Sequence, residues 1–191
     1  LKVASGSAGE GWSTAVGYKA GVAHTSGVFG TYVGTNAGLA ITTGNYNTIM
    51  GGQAGTVATT VQYGVFLGYG AGRQGNMTTD ADGTVFIGAH AGRYMTTGRY
   101  NTAIGYEALY TATELDKNTA IGYQALKVVS GSANDAGWNT AVGAYAGTAL
   151  TSGVMATLVG KDAGLALTTG HYNTVVGANA CEGATTVGYG V

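Results

Sequence analysis

One glycine column governs this chain. It recurs at Gly17, Gly34, Gly51, Gly68, Gly88, Gly105, Gly122, Gly143, Gly160 and Gly177. The spacing is 17 in seven of nine intervals, and 20 and 21 in the other two. Each glycine sits in a phrase of the form [N/S]-T-x-[V/I]-G-x-x-A-[G/L], written almost identically as NTAIGYEAL at Asn101–Leu109 and NTAIGYQAL at Asn118–Leu126. A fixed short period means that every repeat does the same structural job, so the chain must stack. The two longer intervals carry insertions near Asp80–Gly83 and Ser132–Ala136. A second period of 126 lies above the first: GWSTAVG at Gly11 returns as GWNTAVG at Gly137, and TTGNYNT at Thr42 returns as TTGHYNT at Thr168. Residues 1–191 thus read as one continuous array of about ten coils, with no domain boundary. Both ends fall inside a repeat, and the first residue is Leu1, so the sequence is expected to be a piece of a longer fibre.

The columns predict an all-β chain. The residue before the glycine is always large and apolar (Val16, Val33, Met50 and onward), and threonine stands two residues earlier in most coils. Residues two apart on a strand share a face. The Val/Ile column is therefore expected to face a core, with the threonines beside it. The residue between them (Ala15, Tyr32, Ile49, Phe66, Phe86 and onward) is apolar in every coil too. An exposed strand alternates apolar with polar, so a second covered face is expected, most simply against neighbouring chains in a parallel homotrimer. Alanine three residues after the glycine marks a tight corner, and the glycine itself marks a positive φ or a crowded turn. TTG or TSG, as at Thr42–Gly44 and Thr151–Gly153, supplies a second turn, which predicts two short strands per coil. Five residues before the glycine runs an aromatic column, Trp12, Phe29, Tyr46, Tyr63, Tyr100, Trp138 and Tyr172, broken at Gly83 and Lys117. The fold class expected is a parallel β-solenoid, a β-roll or β-helix of 17-residue coils. Whether each chain coils on itself or three intertwine stays open.

NTAIGYQAL, its G-x-x-A turn and the TTG spacers resemble the shaft repeats of phage tail fibres. They are also similar to the coils of YadA-like heads in trimeric autotransporter adhesins. The resemblance implies a trimeric, extracellular fibre, on a virion or a cell surface. It implies a structural role that positions a receptor-binding tip, with a bacterial surface adhesin or filament as the alternative. Host-surface glycans or receptors would be its partners besides its own copies.

Composition narrows the chemistry. Only 9% of residues are charged and the net charge is −1, so no basic footprint for nucleic acid is present. No apolar run approaches the roughly 20 residues of a membrane helix, so no membrane insertion is expected in this segment. Cys181 is the single cysteine; it stands in a column otherwise held by Gly or Leu, as a small buried filler or an interchain bridge. GAGRQG at Gly70–Gly75 has the outline of a dinucleotide loop, but no helix-forming segment follows it. DADG at Asp80–Gly83 lacks the further acidic positions of a calcium loop. His24, His90 and His171 share no metal-ligand spacing. No nucleophile–base grouping is visible, so no enzyme activity, no cofactor and no metal are expected. Tyr18, Tyr69, Tyr106 and Tyr123, directly after the glycine, are the candidates for surface binding to glycans. Ice binding, which uses flat threonine ladders, is disfavoured if the threonines share the core face.

Overall fold

The computed structural model describes residues 12–129 and 137–187. Within them the chain forms a parallel β-solenoid that coils on itself. Each coil contributes one three-residue strand: β1 Thr14–Val16, β2 Thr31–Val33, β3 Thr48–Met50, β4 Val65–Leu67, β5 Val85–Ile87, β6 Thr102–Ile104, β7 Thr119–Ile121, β8 Thr140–Val142, β9 Thr157–Val159 and β10 Thr174–Val176. They make one ten-stranded sheet in sequence order, parallel and in register. Ile104 lies beside Ile121, and Phe66 beside Phe86 across the three-residue insertion. The insertion is absorbed as a 3-10 turn, Thr79–Ala81, whose Thr78 side chain accepts the Asp80 N–H. The second insertion, Ser132–Ala136, lies outside the described residues.

The other side of the coil carries no second strand of the expected length. Single hydrogen bonds join its rungs, such as Thr42 N–H to Thr59 C=O at 2.9 Å, with isolated bridges between Ser152, Thr169 and Thr186. Threonine hydroxyls reinforce it: Thr151 donates to Thr168 C=O and Thr168 to Thr185 C=O, both at 2.9 Å. The TTG glycines explain the difference. They turn the chain too often for a strand to lengthen.

The motif glycine is constrained twice. All ten have φ between 125° and 137°. A Cβ on Gly17 would also lie 2.6 Å from the carbonyl oxygen of Gly34 in the next coil. Only glycine meets both conditions.

The inside of the coil is the middle residue of each strand, not the Val/Ile column. Tyr32, Ile49, Phe66, Phe86, Ala103, Ala120, Ala141 and Leu158 are buried, while Val16, Met50, Ile121 and Val176 stand exposed. The expectation that Val/Ile faces the core is therefore inverted. The reason is parity: the core residue lies two before the glycine, and the glycine backbone is what abuts the next coil. Alanine three after the glycine is buried from Ala20 to Ala163 and closes the corner.

Core volume is shared between two columns. Where the strand residue is large, the position four after the glycine is Gly38, Gly55, Gly72 or Gly92. A Cβ on Gly38 would come 2.7 Å from the Tyr32 ring, and one on Gly92 2.6 Å from the Phe86 ring. Where the strand residue shrinks to Ala103 or Ala120, that position becomes Leu109 or Leu126, both fully buried. Interiors are packed to crystal-like density, so the loss at one column is made up at the other. Cys181 in this same column is free and exposed, with no described coil stacked on it.

A buried asparagine column holds the rungs together. Asn118 N–H donates to Asn101 Oδ1 at 2.9 Å, and Asn139 N–H to Asn118 Oδ1 at 3.0 Å. Asn47 donates its Nδ2 to Val61 C=O at 2.6 Å and accepts the Gly64 N–H at 2.8 Å. Asn47, Asn101 and Asn139 thus each accept a backbone N–H 17 residues on and donate to a carbonyl 14 residues on, as burial requires.

Candidate functional surface

The outward side of the sheet is built from alternate residues around the motif. Threonine and Val/Ile form its floor; the aromatic column and the tyrosine column form its two margins. Of the large hydrophobic side chains that stand exposed among the described residues, all but Val22, Tyr94 and Val128 belong to these columns. Charge is nearly absent from them: only Lys117 and Lys161 intrude. Scattered exposed apolar residues are ordinary, but a continuous patch rarely lacks a purpose.

The aromatic margin is a ladder of rings. Phe29, Tyr46 and Tyr63 stack with centroids 5.1 Å apart and planes within 12°, and Trp12 meets Phe29 edge-on at 5.0 Å. Where the column breaks, Lys117 places its ammonium 4.0 Å over the Trp138 ring. Phe29, Tyr46, Tyr63 and Tyr100 all have φ near 57°, the left-handed region. That costs on the order of 1 kcal/mol each. It is offset by backbone bonds between rungs, such as Tyr46 N–H to Val28 C=O at 2.9 Å, and by the stacking itself.

The four tyrosines singled out from the sequence are all exposed. Tyr106 and Tyr123 stack at 5.3 Å and 13°, with Tyr145 edge-on to Tyr123. His90 packs edge-on to Tyr69 at 5.4 Å and Tyr106 at 6.4 Å, so three of the four join one run. Tyr18 lies apart from it, beside Lys19. The faces of Tyr106 and Tyr123 are turned to each other, and their hydroxyls engage Glu107 and Tyr145. Burial, then the charges of Arg93 and Arg73, hold the His90 pKa below its usual value against the pull of Glu107.

Past the tyrosine margin lies a polar corner. Glu107 accepts from Lys127 at 2.7 Å and from Gln124 Nε2 at 2.9 Å. Burial pushes its carboxyl up, but these bonds and the Tyr106 hydroxyl outweigh that and hold its pKa low. Arg93 sits 5.6 Å from the ring centres of both Tyr94 and Tyr110. It donates Nη1–H to the Tyr110 hydroxyl at 3.2 Å and Nε–H to Gln74 Oε1 at 3.0 Å. Composition gave no hint of this cluster. Its signal was Arg73, Arg93, Tyr110 and Lys127 standing five after the glycine in four successive coils.

The remaining motifs resolve into structure. GAGRQG runs through a coil corner, where a Cβ on Gly72 would press on Met77 and Phe86. In the DADG turn, Asp80 pairs with Arg99 and Asp82 accepts the Gln62 N–H at 2.7 Å. Burial raises the Asp82 pKa in spite of that bond and the Arg99 charge. Among the described residues no three His, Cys, Asp or Glu side chains gather as a metal would require. No helix among them is long and apolar enough to cross a membrane.

Comparison with protein families, with curated proteins and with solved structures finds no match for this chain. What the chain is, on its own geometry, is a parallel β-solenoid with one apolar sheet face.

Proposed function

We propose that this chain is a segment of an extracellular fibre shaft, in which copies associate as a parallel homotrimer through the sheet face. The observation that carries the proposal is that face: outward, apolar, almost free of charge and continuous over ten rungs. Ten rungs at ~4.8 Å by seven residues at ~3.3 Å give roughly 1,100 Å². A stable interface needs about 800 Å² per partner. A surface periodic along its whole length is matched best by a partner with the same period, hence by another copy of the chain in the same direction. The shaft repeats of phage tail fibres, which the motif resembles, are the first choice of context, and a bacterial surface filament the second. The role is mechanical: it holds a binding tip away from its base, and no chemistry is assigned to it.

The test is mass in solution. Light scattering should give three chains, and I104E/I121E should give one chain with the same circular dichroism. A monomeric wild type overturns the proposal.

One observation favours a second reading. The threonine column faces outward, contrary to the expectation that set ice binding aside, and its rungs are regularly spaced. The aromatic margins on either side of that floor suit protein contact better than a flat crystal surface. Thermal hysteresis in the wild type, lost in T102Y/T119Y, would transfer the face to ice.

A further inference from the structure

We propose that the corner holding Arg73, Arg93 and Lys127 binds an acidic polysaccharide laid along the rod. In other coils this column holds Val22, Leu39, Thr56, Tyr110, Thr148, Leu165 and Glu182, so its cations are confined to one stretch. Outside the corner Arg99 pairs with Asp80 and Lys161 with Asp162, while Lys19 and Lys117 lie over the rings of Tyr18 and Trp138; within it Lys127 pairs with Glu107. Among the described residues Arg73 and Arg93 have no carboxylate partner. They nevertheless stand on adjacent rungs, tied by Gln74 N–H to Arg93 C=O at 2.7 Å. Like charges placed side by side repel, and a shaft gains nothing from that. A bound anion relieves it.

Arg93 is fixed before any ligand arrives. Two tyrosine rings and two hydrogen bonds hold its guanidinium. Those bonds use two of its five N–H donors. The rest are free to take a carboxylate or sulfate in the forked geometry that guanidinium favours. Lys127, two rungs beyond Arg93, extends the track, with its charge partly cancelled by Glu107. A linear chain bearing an acidic group at short, regular intervals matches cations spaced by multiples of the ~4.8 Å rung. Nucleic acid fits worse. Tyr94 and Tyr110 meet edge-on at 5.3 Å with planes 80° apart and share Arg93 between them, so they form no parallel platform for successive bases. The site lies beyond the tyrosine margin, so it does not depend on what covers the sheet face.

The experiment is affinity retention of the full chain on dextran sulfate, polygalacturonate and neutral dextran, with oligo-dT as a fourth matrix. Wild type should bind at least one acidic polysaccharide and release as salt rises, and should pass through neutral dextran. Retention on polygalacturonate alone assigns carboxylate, on dextran sulfate alone sulfate, and on both a general acidic sugar. R73Q/R93Q should weaken binding about 10-fold or more. K19Q/R99Q, with the same change in net charge, should leave it unchanged. R73Q alone, which leaves the ring contacts and hydrogen bonds of Arg93 in place, keeps the test readable if Arg93 proves necessary for folding. Three results each overturn the proposal: no retention on either acidic matrix, equal loss in both double variants, or tighter retention on oligo-dT.

Discussion

Phe86 and Ala103 are neighbouring rungs of one buried column, yet they fill the coil in opposite ways. From β2 to β5 the strand supplies the bulk, and the corner position is glycine. At β6 and β7 the strand supplies only a methyl group, and Leu109 or Leu126 supplies the bulk from the corner. The leucines accept φ of 50° and 48° to do so. From β2 to β7 bulk is thus traded between strand and corner; at β8, where Ala141 and Gly147 are both small, Leu126 and Leu158 of the neighbouring coils fill the corner.

The contrast can be attacked from both sides. G92L gives a strand-filled coil a corner leucine as well. Gly92 has φ +57° and a wall of Phe86 2.6 Å from any Cβ, so the change should cost about 4 kcal/mol or prevent folding, read by urea denaturation. L109A empties a corner-filled coil and should cost about 3 kcal/mol, as buried leucine truncations do. The double change A103F/L109G converts that coil to the other kind. It should recover most of the loss, and a double-mutant cycle that came out additive would refute the volume-sharing account. N118A acts on both kinds of coil alike. It leaves the Asn139 N–H without its acceptor and should cost about 2 kcal/mol.

The smallest effect concerns pH. His24 occupies an inner position held by Ile41 in the next coil, packs 5.5 Å from the Tyr32 ring, and leaves its Nε2 buried and unpaired. Burial lowers its pKa. The unfolded chain then binds the proton more readily, so stability is full above the ordinary histidine value of about 6.5 and falls as pH drops below it. The melting temperature should decline from pH 7 to pH 5, and H24I should raise it and flatten the decline. His90, shifted in the same direction, retains part of the slope.

Much of the architecture could be read from the chain. The period put Ile104 on Ile121 and Tyr106 on Tyr123, and so they lie. The glycine column required an unusual φ or a crowded backbone, and it has both. The two faces of the strand were exchanged, because both are apolar and hydrophobicity alone carries no direction. The better signal was variance. The inner column ranges from alanine to phenylalanine because a corner residue compensates it, while the outer column stays Val, Ile, Leu or Met. Asparagine in NTAIGY was visible as a recurrence, but its use was not: it bonds to groups about 14 and 17 residues away, adjacent only after coiling. The Arg73–Arg93 corner was equally hidden, since an insertion shifts the spacing to 20.

By itself the sequence determined the period, the stacking order and the crowded glycine corner, because a short repeat brings the same residues back at every rung; that the chain coils on itself came only from the fold. Tertiary structure alone decided which side of the strand is inside, how bulk is divided between strand and corner, and which cations meet without a partner. Those depend on what lies one rung away, and a neighbour 17 residues distant exerts no force until the coil closes.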